Sequence, residues 1–139
     1  MTEDCCASGG NIMILACSGG SNVGLLSNQA AVELTRDGVG KMFCLAGIAA
    51  QLSGFVQSAK DVEAMVAIDG CPVGCAKAIL EQAGVPLKNH LVITELGIGK
   101  NKNLSLRAED IARVKSAVCD TCGVKPGAAR TPKMADCCG

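Results

Sequence analysis

The residues of this chain best suited to chemistry are its cysteines, ten among 139 positions. Cys17, Cys44 and Cys71 stand 27 residues apart and then 27 again, and Cys75 follows Cys71 by four. Thiolate is a preferred donor for soft metal ions, and four thiolates at about 2.3 Å satisfy tetrahedral zinc with no other ligand. Cys71-Pro72-Val73-Gly74-Cys75 carries more weight than either upstream cysteine, because two thiols flanking a proline and a glycine at a strand-to-helix turn are seldom mere filling. Cys17 and Cys44, taken singly, also read as small buried hydrophobes, a common fate of free cysteine. The chemistry therefore depends on whether the fold gathers all four.

The hydrophobic pattern names the elements that must do so. A continuous apolar run over 11–17 (NIMILAC), closed by Ser18-Gly19-Gly20-Ser21, predicts a buried strand and a tight loop. Ser21 or Asn22 caps the helix that follows, with Leu25, Leu26, Ala30, Val32 and Leu34 as its apolar side and Asp37-Gly38 as its end. Residues 41–46 read as a second strand, with Gly47 opening a turn, and 48–56 as one helix or a short helix and loop. The third strand lies within 61–68, stopped by Asp69-Gly70. Helical spacing over 72–83 places Pro72 in a first turn and Gly84 at a stop. A fourth strand is expected over 90–96 and a last helix over 107–118, where Ile111, Val114 and Val118 share a face and Glu109 pairs with Arg113. Strands alternating with helices imply a three-layer α/β domain over 11–123, with a mostly parallel sheet of about four strands in Rossmann-like or flavodoxin-like order. The segments 1–10 and 124–139, the second a cysteine-containing tail, are expected to be flexible.

In such sheets functional groups collect beyond the carboxyl ends of the strands. Twenty-seven residues suit one strand, one crossover helix and two loops, so each step returns the chain to a similar height. If those strands are neighbours, about 4.8 Å apart, Cys17, Cys44 and Cys71 converge on one edge, and Cys75 faces the same side from the following helix. Four thiolates around a divalent ion leave a net charge of about −2, costly in a partly buried site. Helices starting after Cys17 and near Pro72 are expected to aim N–H groups at the sulfurs, with Lys41 or Lys77 as candidate countercharges. Asp69 is expected to bond loop amides or a turn rather than the metal.

Other features point less sharply. Cys119-Asp120-Thr121-Cys122, placed after the last helix, has the spacing of half a zinc site and of a redox pair. A redox pair gains from a helix N-terminus, whereas this one stands at a C-terminus, which disfavours a thioredoxin-like role. Cys119 and Cys122 with Cys137 and Cys138, or with Cys5 and Cys6, form a candidate second, labile soft-metal site; tail cysteines without a defined role are the equal alternative. The loop 18–24 follows a strand and opens a helix but matches neither phosphate-loop nor dinucleotide fingerprint, so a tight turn bringing amides toward Cys17 explains it better. His90, the sole histidine, reads as an edge or capping residue, and no Ser-His-Asp or Cys-His arrangement has support.

Composition narrows the partners. Basic and acidic residues balance at 13 each, and only Phe43 and Phe55 are aromatic, so the chain lacks both the positive excess and the stacking surface of a nucleic-acid binder. No apolar stretch nears the roughly 20 residues of a membrane span, and the acidic start Met1-Thr2-Glu3-Asp4 is no secretory leader. A cytoplasmic protein is expected, and there ten cysteines speak for metal binding or thiol chemistry rather than disulfides. The expected partner is a metal ion, with no nucleic acid and no membrane.

Asp69-Gly70-Cys71-Pro72-Val73-Gly74-Cys75, with Ala16-Cys17-Ser18-Gly19 and Cys44-Leu45-Ala46-Gly47, resembles the signature of the DGC-domain family, small proteins described as zinc-binding because they share four candidate chelating cysteines. The resemblance runs over roughly residues 11 to 118 and implies Cys17, Cys44, Cys71 and Cys75 as ligands, the set that the spacing also selects. It names no reaction. Four protein sulfurs leave no open position for water, which argues against a hydrolytic enzyme. The sequence therefore points to a zinc (Zn2+) or other soft-metal protein. The alternatives are a thiol-dependent enzyme or transferase with Cys71 or Cys75 as nucleophile, and an iron–sulfur protein.

Overall fold

Two strands, one apolar throughout and the other apolar up to a closing Asp69, become the buried middle of a parallel sheet, as expected where helices cover both faces. A computed structural model describes residues 11–124. The expected flexible segments, and with them Cys5, Cys6, Cys137 and Cys138, lie outside the described residues. The elements run β1 (Ile12–Ala16), α1 (Asn22–Arg36), β2 (Lys41–Met42), α2 (Leu45–Ala49), α3 (Ser53–Asp61), β3 (Ala64–Asp69), α4 (Cys75–Gln82), β4 (His90–Val92), a 3-10 turn (Ile93–Leu96) and α5 (Ala108–Cys122). All strand pairings are parallel, in the order β2-β1-β3-β4. This is the flavodoxin-like alternative of the two expected orders.

Period-two alternation sorts the side chains of β1 and β3 between two cores. Ile12, Ile14, Ala16, Val66 and Ile68 pack with α1 and α5 through Leu26, Leu34, Val114 and Val118. Met13, Leu15, Met65 and Ala67 pack on the opposite face with Ile48, Ala59, Ala76 and Leu80 from α2, α3 and α4. Three layers result. Lys115 ties α5 to α1 through Asp37 at 2.7 Å and Glu33 at 3.3 Å. Among the described residues no helix is long and apolar enough to cross a membrane.

Several expected boundaries move, each for a local reason. The second strand stops at Met42; the Phe43 N–H still reaches Ile14 O at 2.9 Å, but Cys44 then caps α2 by accepting the Gly47 N–H at 3.4 Å. Gly47 lies inside α2 rather than at a turn, because a Cβ there would stand 2.6 Å from Cγ of Phe55. Residues 48–56 divide between α2 and α3 around Gln51 at φ 60°. Pro72 precedes α4 instead of entering it: a turn closes from Gly74 N to Cys71 O at 3.1 Å, with Gly74 at φ 67°, and the helix begins at Cys75. The fourth strand yields to the 3-10 turn after Val92, and α5 continues past Val118 to take in Cys119 and Cys122.

The strand order reverses direction between β1 and β3, and a crevice opens beyond their carboxyl ends at such a point. Two glycines let backbone meet backbone there. A Cβ on Gly70 would lie 2.8 Å from the carbonyl carbon of Val23, and one on Gly24 would lie 2.6 Å from Gly19 N. Gly70→Ala is therefore expected to destabilise the protein by about 1–3 kcal/mol, as over-packing does. Gly20→Ala, with nothing within 4 Å of the added carbon, serves as control and should leave the thermal midpoint nearly unchanged. Paired thermal melts of the two variants check this.

Candidate metal centre

Residue Cys17 follows β1 and is buried, with its backbone N–H extending the β1–β3 ladder to Ile68 O at 2.9 Å. Its Sγ accepts the N–H of Gly70 at 3.1 Å. The expected amide contact to Cys17 therefore exists, but it comes from the β3–α4 loop rather than from the glycines of the cysteine's own loop. The Ser27 hydroxyl, on the first turns of α1, is a polar neighbour of the Cys17 thiol and gives its single proton to Ile68 O at 2.8 Å. Burial is the largest influence on this thiol and pushes its pKa up. The Gly70 N–H opposes it, and the negative charge of Asp69 and Cys75 adds to it.

Cys71 and Cys75 bracket the Cys71–Gly74 turn after β3, Cys71 half-buried and Cys75 exposed at the start of α4. Cys17, Cys71 and Cys75 line one cavity of about 180 Å³, together with Ser18-Gly19-Gly20-Ser21 and two lysines, Lys100 and Lys102. Among the described residues no carboxylate lines it. Cys44 stands exposed two residues beyond the tip of β2, the strand next to β1, and is not among the lining residues. Thus the topology delivers all four cysteines to the carboxyl edge of three adjacent strands, and the side chains of three of them share a cavity. Among the described residues no three Cys, His, Asp or Glu side chains already stand together as a metal-ligand group. The donor chemistry, three thiols and no hard oxygen anion, suits a soft ion.

Asp69 is buried to 1 % exposure and bonds loop and helix amides, as its place in the sequence implies. Oδ1 accepts the N–H of Ala76 at 2.7 Å and Oδ2 that of Lys77 at 3.2 Å. The first amides of α4 are consequently committed to a carboxylate, and the expectation that this helix would aim them at the sulfurs is not met. Oδ2 also bonds Nε2 of His90 at 2.8 Å, from the first residue of the edge strand β4. His90 is thus an edge residue with a defined partner, which its position alone did not reveal.

Neither lysine picked out from sequence is near the cavity lining. Lys77 pairs with Glu81 at 3.9 Å on the surface of α4, and Lys41 lies exposed on β2. Lys100 and Lys102, from the irregular segment after the 3-10 turn, take that place; no periodicity or motif in their segment marks them. Cys119 and Cys122 occupy the last turns of α5, buried and half-buried against the α1–α5 core. Cys137 and Cys138, their expected partners in a second site, lie outside the described residues.

Comparison with known proteins adds lineage to this geometry. The family model for the DGC domain matches residues 13–118. The chain is 34 % identical over 102 residues to the anaerobic and virulence modulator AnvM of Pseudomonas aeruginosa, a span covering 73 % of this chain and 78 % of that protein. No solved structure matches.

Burial raises the thiol pKa of Cys17, Cys119 and Cys122 alike. A raised pKa means that the folded state holds the proton more tightly than the unfolded chain, so this stability is complete below the unfolded thiol value, about 8.5, and drains away as pH rises through the folded one. Metal-free protein should accordingly lose thermal stability above about pH 8.5. Cys119→Ala should flatten part of that fall, and melts from pH 7 to 10.5 in the presence of a reductant measure it.

Proposed function

The chain belongs to the DGC domain family, and from that membership and the thiol-lined cavity at the sheet's switch point we propose that it is a soft-metal-binding protein, with zinc as its default ion. The observation that carries the reading is the shared cavity of Cys17, Cys71 and Cys75, free of carboxylates among the described residues and placed where α/β sheets hold their ligands. Cys44, on the tip of the neighbouring strand, is the fourth ligand in this proposal. Cys44 and Cys75 are exposed and Cys71 half-buried, so rotation about χ1 is open to them at small cost, while buried Cys17 serves as the fixed point.

Each surrounding residue has a task in this reading. The Gly70 N–H orients the Cys17 sulfur and stabilises charge on it. Asp69 fixes the start of α4, and with it Cys75, without competing for the ion. Zinc bound by four thiolates would supply structural or switch-like stabilisation rather than an activated water, since no coordination position is left. A reducing, cytoplasmic setting fits thiolates kept free for metal. The relative is named an anaerobic and virulence modulator, and since thiolate sites respond to oxidants we favour sensing over storage for this chain.

Metal analysis of the native protein decides the matter. About one zinc per chain is expected, lost or strongly weakened in Cys71→Ser and in Cys75→Ser while both variants keep their far-ultraviolet circular dichroism. Native protein free of metal, or equal metal in all three, would refute the assignment. Visible colour in anaerobically purified protein would instead indicate an iron–sulfur cluster.

A further inference from the structure

The cavity holds two cations that the metal-binding reading leaves unused. Lys100 Nζ stands 3.5 Å from Cys71 Sγ and Lys102 Nζ 3.3 Å from the carbonyl of Gly20. Among the described residues neither lysine pairs with a carboxylate, whereas Lys77, Lys115 and Arg107 each do. Both come from an irregular stretch that Ile98 anchors in the core and Asn22 fastens beyond it. Asn22, in the first turn of α1, donates from Nδ2 to Gly99 O at 2.7 Å and accepts the Asn101 N–H at Oδ1 at 2.6 Å. Its own backbone N–H reaches Asn101 O at 3.0 Å. Three hydrogen bonds from one residue thus fasten the stretch on either side of Lys100 to the helix that starts beside the thiol cavity.

We infer that Lys100 and Lys102 are the countercharges of the thiolate site, presented by a strap that Asn22 clasps to α1. The inference rests on the metal-binding reading and deepens it by naming positioning residues outside the ligand set. Four thiolates and a divalent ion carry a net charge of about −2, and burial makes such an excess costly. The amides of α4 do not offset it, because Asp69 takes them and brings a further negative charge nearby. Two ammonium groups on the cavity wall are opposite to the excess in sign and equal to it in number. Their exposure to water keeps the effect moderate, so the loss on removing them belongs at the lower end of what outer-shell partners contribute, about tenfold in metal affinity.

The test is zinc affinity measured by competition with a chromophoric chelator, for wild type, the double variant Lys100→Gln/Lys102→Gln and the double variant Lys100→Arg/Lys102→Arg. The glutamine pair should bind zinc about tenfold more weakly, the arginine pair should approach wild type, and all three should melt alike without metal. Raising salt to about 1 M should shrink the gap between wild type and the glutamine pair, since exposed charges are then screened beyond about 3 Å. Equal affinity of wild type and the glutamine pair, no recovery with arginine, or a gap indifferent to salt would overturn the countercharge role while leaving metal binding intact. Wild type unable to hold zinc would overturn both.

Discussion

One close approach governs this molecule: the backbone of Gly70, leaving β3, lies against Val23 and Gly24 in the first turn of α1. It is possible only because Gly70 has no side chain, and it occurs where the chain, having laid β2 on one side of β1, lays β3 on the other. The same contact carries the Gly70 N–H to within 3.1 Å of Cys17 Sγ. Cys17 is thereby fixed by the sheet below and by a neighbouring loop above. Cys44 stands just before α2, Cys71 on the turn after β3 and Cys75 at the start of α4, all at that same end of the sheet.

The residue before Gly70 sets the electrostatics. Asp69 ends β3, and its buried carboxylate accepts two amides of α4 and one bond from His90. A charge so deeply buried is stable only when its oxygens are satisfied, and here a helix N-terminus and an imidazole satisfy them. The consequence for the adjacent thiols is subtractive. The positive end of α4 is committed to Asp69, and the cations that line the thiol cavity are instead Lys100 and Lys102.

What sequence could reveal follows from how local each signal is. Apolar runs defined β1 and β3, Ser21 was a visible cap, and the 27-residue steps anticipated three cysteines on one edge, because parallel neighbours joined by crossovers must return to the same end. The second strand was read too long, since Phe43 and Leu45 supply apolar character for packing beside α2 rather than for a strand. Pro72 suggested a helix start, but the turn that Gly74 closes delays α4 to Cys75. Lys100, Lys102 and His90 act through contacts spanning 29, 82 and 21 positions of sequence, and no periodicity encodes such separations.

Burial alone does not make a cysteine into a site, and the contrast between Cys17 and Cys119 shows why. Both thiols are nearly inaccessible, and burial raises the pKa of both. Around Cys119 the opposing influence is the charge of Lys115, which is itself held by Asp37 and Glu33 on α1. Around Cys17 the opposition is directional: the Gly70 amide is aimed at the sulfur from the β3–α4 loop at 3.1 Å. Directed donors stabilise a thiolate in place once the proton leaves, whereas a remote charge does so only weakly. Cys119 is thus suited to remain a neutral member of the α1–α5 core, whereas Cys17 has a donor in place for its thiolate at the mouth of the sheet.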